Sequence, residues 1–160
     1  MTLRSPFNVI LTDGTTLASK LAQQQSWVLN EYEKPRALIT LSNEDLSDVD
    51  FSTYEISYIK FVSCNLSRSV FPPRMYYVDF TGSAINNVSF VGVLSQCDLA
   101  NTTILRTSFI GAEVFGCIFA GANIVSCFFD GIDLSNSVLD NGALADSSTR
   151  FTLLPPGYVP

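Results

Sequence analysis

The chain has 160 residues, enough for one domain with a core, and 47% of them are apolar, which excludes a disordered chain. Fifteen acidic residues against nine basic ones give a formal net charge of −6, which argues against direct binding to nucleic acid phosphates. The sequence contains no histidine, which removes the commonest general base and the commonest metal ligand.

Residues 1–38 are predicted to form a strand and a helix that cap the rest of the chain. A short strand is expected at 7–11, followed by a helix that begins after Thr15 or Thr16 and ends near Glu33. The apolar face of this helix comprises Leu17, Leu21, Val28 and Tyr32. We expect this face to cover the first coil of the chain's own core and not a partner's.

From residue 41 onward, a bulky apolar residue recurs at about every fifth position, over 22 consecutive units. When every fourth unit is taken together, the units fall into four series. The bulky residue of one series is always phenylalanine, at Phe51, Phe71, Phe90, Phe109 and Phe129. Two units, those of Met75 and Leu94, are shortened by one residue, and both belong to the same one of the other series. Such a period predicts a backbone wound into stacked coils of four units each.

A second inward position, two residues before each bulky residue, is usually occupied by a small side chain. One bulky and one small side chain per unit can fill a narrow tube at the packing density of protein interiors. All four cysteines occupy this position, namely Cys64, Cys97, Cys117 and Cys127. Because no Cys-x-x-Cys spacing occurs, we expect them to be reduced core residues and not zinc ligands or disulfides.

Units such as 97–101 (Cys-Asp-Leu-Ala-Asn) and 122–126 (Ala-Asn-Ile-Val-Ser) resemble those of the pentapeptide-repeat family. The resemblance extends from Leu41 to Leu144. It implies an all-β solenoid, a right-handed quadrilateral β-helix with a turn at each corner. The 22 units make about five coils of four, and the short N-terminal helical cap precedes them. Glycines predicted to adopt a positive φ at these corners are Gly111, Gly116, Gly121 and Gly131.

The predicted domains are an N-terminal strand and helix cap at 1–38, a β-helix at 39–146 and a C-terminal tail at 147–160. The resemblance implies that the tail closes the last coil, although its aromatic residues could instead pair two subunits. The N-terminus lacks the apolar stretch of a secretory signal, and no apolar run reaches the length of a membrane span. We therefore expect a cytoplasmic protein, although a specialised export signal would escape detection.

The first coil departs from the pattern. Ile39, Tyr54 and Ile59 are large, and Glu44 is charged, at positions where small residues are expected. A buried functional carboxylate is one interpretation of Glu44. Because burial of an unpaired charge is costly, we instead expect a wider or frayed coil that exposes Glu44 to water.

No catalytic residue, cofactor site or metal site is predicted, because neither a phosphate-binding glycine loop nor a nucleophile elbow is present. The outer positions of the later coils are instead apolar, at Val91, Val93, Leu105, Ile110, Phe115, Ile118, Val125, Phe128 and Val138. A contiguous apolar exterior usually marks an interface. The predicted function is a non-catalytic module that binds a protein partner or a second copy, mainly through Val91, Ile110 and Phe128. Alternatively, the helix or the tail covers part of this surface.

The resemblance also implies a second hypothesis. Some pentapeptide-repeat proteins mimic DNA, bind the type II topoisomerase DNA gyrase and confer quinolone resistance. The acids that could serve this role are Glu44, Asp45, Asp48, Asp50, Glu55, Asp79 and Asp98. Charge density argues against it, because the repeats carry a net charge of −8, whereas B-DNA of the same length, about 25 Å, carries roughly 15 charges.

Overall fold

The computed structural model describes residues 2–29 and 39–160, and its main feature is a β-solenoid of about four coils preceded by one short α-helix. A 3-10 turn at Pro6–Asn8 comes first. The helix and strands that follow are α1 (Leu17–Leu29), β1 (Thr40–Ser42), β2 (Lys60–Val62), β3 (Arg74–Tyr76), β4 (Ala84–Asn86), β5 (Gly92–Ser95), β6 (Thr103–Leu105), β7 (Ala112–Phe115) and β8 (Asn123–Val125).

Parallel pairing between successive coils holds the solenoid together. The strands form three sheets, ordered β1-β2, β3-β5-β7 and β4-β6-β8. Thr40 pairs with Lys60 and Met75 pairs with Leu94, in each case four repeat units further along the chain. The two shortened units, those of Met75 and Leu94, therefore lie side by side, as the repeat predicts. Residues at the same position in successive coils form what we call a column.

The predicted lining of the solenoid is confirmed. The bulky residues from Leu41 to Leu144 are buried, except Leu139, which is half-buried. Adjacent rings are stacked with centroids 4.5–5.6 Å apart along the column Phe51, Phe71, Phe90, Phe109 and Phe129. Each buried ring contributes roughly 1.5–3 kcal/mol through the hydrophobic effect, so the core is a continuous stack that crosses every coil.

The small inward residues also make hydrogen bonds between coils. Ser69 Oγ donates to the Leu46 carbonyl oxygen at 2.6 Å, and Thr107 Oγ1 donates to that of Ile85 at 2.9 Å. The Cys127 thiol contacts a carbonyl one coil back in the same way. A buried carbonyl without a partner costs free energy. Serine, threonine and cysteine at this position therefore satisfy buried carbonyl groups in addition to fitting the narrow interior.

The strand predicted at 7–11 is wrong. Pro6–Asn8 forms a 3-10 turn, because proline is suited to the first position of a helical turn. Within the predicted strand, Ile10 makes only an isolated bridge. Strand-like pairing comes earlier, where Arg4 bridges Val49 in parallel, and this contact extends the ladder below the first coil.

The predicted helix start is confirmed at Thr16, whose side-chain oxygen accepts a hydrogen bond from the Ser19 amide at 3.2 Å. The predicted end near Glu33 and the apolar residue Tyr32 lie outside the described residues.

Helix α1 covers the chain's own core, as expected. Leu17 and Leu21 are fully buried within the same cluster as the solenoid lining, and Val28 is half-buried. The buried Gln24 Nε2 donates to the Ser57 carbonyl oxygen at 2.6 Å, which ties the helix to the first coil.

At the other end, the C-terminal tail packs against the last coil. Leu154 and Tyr158 contact the core, and the Tyr158 hydroxyl oxygen accepts a hydrogen bond from the Leu144 amide at 2.9 Å. Phe151, by contrast, is 88% exposed.

We predict that Gly92→Ala destabilises the fold more than Gly111→Ala. Both residues have a left-handed φ, +77° and +79°, but a Cβ on Gly92 would lie 2.1 Å from the Pro73 carbonyl oxygen, whereas nothing lies within 4 Å of a Cβ on Gly111. Left-handed backbone alone costs alanine about 1–2 kcal/mol, and the contact with backbone adds to this in Gly92→Ala. Urea unfolding measures both losses, and equal losses would contradict the prediction.

Candidate protein-binding surface

The apolar outer residues are distributed over more than one side of the coil. Leu105 pairs with Val125 in the β4-β6-β8 sheet, whereas Val93 and Phe115 belong to the β3-β5-β7 sheet. Ile118 is bridged to Val138 in another column. Residues that are close in sequence thus point out of different sides of the coil, because the chain turns between units.

One group of apolar residues does run along the solenoid, beside the buried phenylalanine column. Val91 and Ile110 directly follow Phe90 and Phe109, whose rings stack with centroids 5.1 Å apart. Phe128 precedes Phe129 and is bridged to Ser108. We call this surface the Phe-column face; its apolar residues are Val70, Val91, Ile110 and Phe128.

The Phe-column face is open. Val91, Ile110 and Phe128 are 46–51% exposed, so neither α1 nor the C-terminal tail covers them. The alternative that the chain folds back over these three residues is therefore not realised within residues 2–29 and 39–160.

The acids of the repeats have a structural role that sequence reasoning missed. Each of several acids that precede a bulky residue accepts a hydrogen bond from the amide two positions later, at 2.8–3.2 Å. These acid–amide pairs are Asp45–Ser47, Asp50–Ser52, Glu55–Ser57, Asp79–Thr81, Asp98–Ala100 and Asp133–Ser135. A short acidic side chain in this position stabilises the turn that follows it. The signal in the sequence was the Asp or Asn before the bulky residue.

Ion pairs compensate part of the acidic charge. Arg68 donates from Nε and Nη2 to both Asp48 oxygens, at 2.8 and 2.7 Å, and these hydrogen bonds lower the pKa of the Asp48 carboxyl. Lys60 Nζ lies 3.4 Å from an Asp79 oxygen. Asp79 is bridged to Asp98, so the predicted stacking of these two acids on one side is confirmed.

Glu44 is not exposed to water, contrary to the prediction. It is 8% exposed, and its carboxylate accepts hydrogen bonds from the Thr12 amide at 3.0 and 3.1 Å and from the Thr12 hydroxyl at 2.5 Å. The first coil is not frayed, because the N-terminal segment lies over it and supplies these donors. Ile39 and Ile59 are buried beneath the same cover. Glu44 is therefore an anchor for the N-terminal segment.

The cysteines are buried and free, as expected. Burial raises the pKa of the Cys64 and Cys127 thiols, which disfavours the reactive thiolate. Among residues 2–29 and 39–160, no cluster of three or more His, Cys, Asp or Glu side chains could hold a metal ion. The described helix is also too short to cross a membrane.

All four corner glycines, Gly111, Gly116, Gly121 and Gly131, have the predicted positive φ.

We predict that Asp48→Asn lowers stability at neutral pH and flattens its dependence on pH. Because the folded-state pKa of Asp48 lies below the ordinary value of about 3.9, its contribution is complete above that value. The contribution is lost as the pH falls through the lower folded-state pKa. Urea unfolding between pH 2 and 7 measures this.

The control for this experiment is Asp146→Asn, which removes the same charge from an exposed carboxylate that forms no ion pair within the described part of the chain. A pH profile of Asp48→Asn that matched wild type would contradict the stabilising role of the Arg68 pair.

Comparisons with known proteins find distant similarity to solved structures. No family model and no curated protein matches the chain. A pentapeptide-repeat protein from the Arabidopsis thaliana thylakoid lumen is 15% identical, with a TM-score of 0.31 over 69% of this chain and 61% of its own. The pentapeptide-repeat protein Rfr23 from the cyanobacterium Cyanothece 51142 is 16% identical, with a TM-score of 0.27 over 76% of this chain and 84% of its own.

The chain's own geometry defines its fold. A buried side chain at every fifth position and parallel pairing between strands four repeat units apart are what the resemblance seen in the sequence implies. The chain is therefore a β-solenoid whose geometry is consistent with that of a pentapeptide-repeat protein.

Proposed function

We propose that this protein is a non-catalytic protein–protein interaction module that binds its partner through the Phe-column face. One observation carries the proposal: Val91, Ile110 and Phe128 are about half exposed on a scaffold whose interior is fully packed. Exposed apolar groups that share a surface usually mark an interface. The stacked phenylalanines beneath hold the face in a fixed shape, so little conformational entropy is lost on binding.

A non-catalytic role is supported by the way the polar groups are used. Most acids of the repeats cap turns or pair with basic side chains, and the thiols are buried. Catalytic groups need reactive side chains brought together in a cleft, whereas most of these acids and thiols are distributed along the solenoid and take part in structural hydrogen bonds.

A DNA mimic that binds a type II topoisomerase such as DNA gyrase is the less favoured function. Of the seven acids that could imitate phosphates, Glu44 is buried, Asp48 is paired with Arg68, and Asp79 lies beside Lys60. Each of these loses its value as an exposed negative charge, and the remaining charge density is far below that of B-DNA.

We also propose that the solenoid is a right-handed quadrilateral helix with about five coils when the terminal units are counted. The support is the separation of paired strands by four short units of the repeat. A cytoplasmic location stays a prediction from the sequence.

Ile110→Asp is predicted to reduce partner recovery at least about tenfold, because a charge in the middle of an apolar interface must be desolvated. The matched control is Val138→Asp, since Val138 is 53% exposed, close to the 50% of Ile110, but lies in a different column. Affinity capture from the native host, with urea unfolding to verify the fold, compares the two. Equal loss in both variants, or no loss in Ile110→Asp, would argue against the Phe-column face.

In a gyrase supercoiling assay, we expect neither inhibition nor protection from quinolones. Activity in this assay that disappeared in Asp98→Asn would restore the DNA-mimic hypothesis, because Asp98 is only half-buried and forms no ion pair within residues 2–29 and 39–160.

A further inference from the structure

We infer that the outer face of the β3-β5-β7 sheet is self-complementary and binds a second copy of this chain, with the two solenoids antiparallel. This sheet is separate from the Phe-column face, so the inference goes beyond the proposed function and can fail or succeed independently of it.

The register of the sheet places six outward side chains in two columns of three. Arg74 pairs with Val93, which pairs with Glu113; Tyr76 pairs with Ser95, which pairs with Phe115. β5 supplies the middle residue of each column. One column therefore runs from positive through apolar to negative, and the other has an aromatic residue at both ends.

A two-fold axis parallel to β5 turns these columns into a matched interface. Rotation about this axis brings two such faces together, keeps each column opposite itself and reverses the order of the coils. Arg74 of one copy then meets Glu113 of the other, twice by symmetry. Tyr76 likewise meets Phe115, and the two Val93 side chains meet at the centre.

The structure contains a receiving pocket for Arg74. A shallow cavity of about 340 Å³ lies between β7 and the next coil, lined by Glu113, Phe115, Asp133 and Asn136, among others. Two carboxylates beside an aromatic ring provide an ion pair and a cation–π contact, the chemistry that recognises a guanidinium group.

The charges of Arg74 and Glu113 are available for an intermolecular ion pair. Arg74 and Glu113 are exposed, and neither forms an ion pair or a side-chain hydrogen bond within the described residues. Elsewhere on the solenoid, Arg68 and Lys60 are paired with acids of neighbouring coils. Arg74 lies two coils away from Glu113, about 9–10 Å at the usual strand spacing, and a second copy brings the two charges into contact.

The same symmetry limits the strength of the dimer. One coil further out on each side, Glu55 of one copy faces Asp133 of the other. Repulsion between these like charges prevents the interface from extending to further coils. The contact is therefore confined to about three coils, well below the roughly 800 Å² per partner of a standard interface. Because the interface is small, we expect a weak dimer with a Kd in the micromolar range or above. Because charged pairs contribute to it, high salt should raise the Kd further.

Charge reversal tests the pairing directly. Sedimentation equilibrium at low ionic strength is expected to show that the wild-type chain dimerises and that Arg74→Glu or Glu113→Arg alone raises the Kd at least about tenfold, because each places like charges opposite one another. An equimolar mixture of the two variants should dimerise again, because Glu at position 74 then faces Arg at position 113. Arg106→Glu, which reverses a charge outside this sheet, is the control and should leave the Kd unchanged.

The inference would be overturned if the wild-type chain stayed monomeric at millimolar concentration. It would also be overturned if the single variants dimerised like wild type, or if the mixture of folded variants stayed monomeric. If a charge-reversed variant is less stable in urea than wild type, Arg74→Gln and Glu113→Gln replace the pair. An unchanged Kd in both of these would overturn the inference as well.

Discussion

Parallel pairing of each coil with the next, four repeat units along the chain, is the contact on which the rest of this structure depends. A single coil has too few residues to bury its own interior, so the lining becomes a core only when coils are stacked. The requirement for one bulky and one small side chain per unit follows from the narrow interior. The positive φ values at the corners follow from the need to turn after each unit.

Because the inward positions are committed to packing, only the outward positions are free to carry a function. Many of these are also used by the fold, since acids such as Asp79 and Asp98 hold the turns that follow them. An outward carboxylate in this solenoid is therefore weak support for an electrostatic role. The informative residues are those that no structural contact explains: the apolar residues of the Phe-column face, and the charges of Arg74 and Glu113.

The two ends of the solenoid are closed by segments without a repeat, and each closure uses polar contacts to the backbone. At the N-terminal end, Thr12 donates to Glu44 and Gln24 donates to the Ser57 carbonyl. At the C-terminal end, the Tyr158 hydroxyl accepts from Leu144. Such contacts satisfy backbone and side-chain groups that the ladder leaves without a partner at its ends.

From the sequence alone, the lining, the columns, the corner glycines and the reduced state of the cysteines could be predicted, because each depends on a local period that repeats at every unit. The tertiary structure decided what depends on the meeting of distant or aperiodic segments. Glu44 is buried because Thr12, which lies outside the repeat, donates hydrogen bonds to its carboxylate. The five-residue repeat does not predict this contact. The apolar outer residues divide among several columns because successive units face different directions, and only the stacked coils bring Arg74, Val93 and Glu113 into one line.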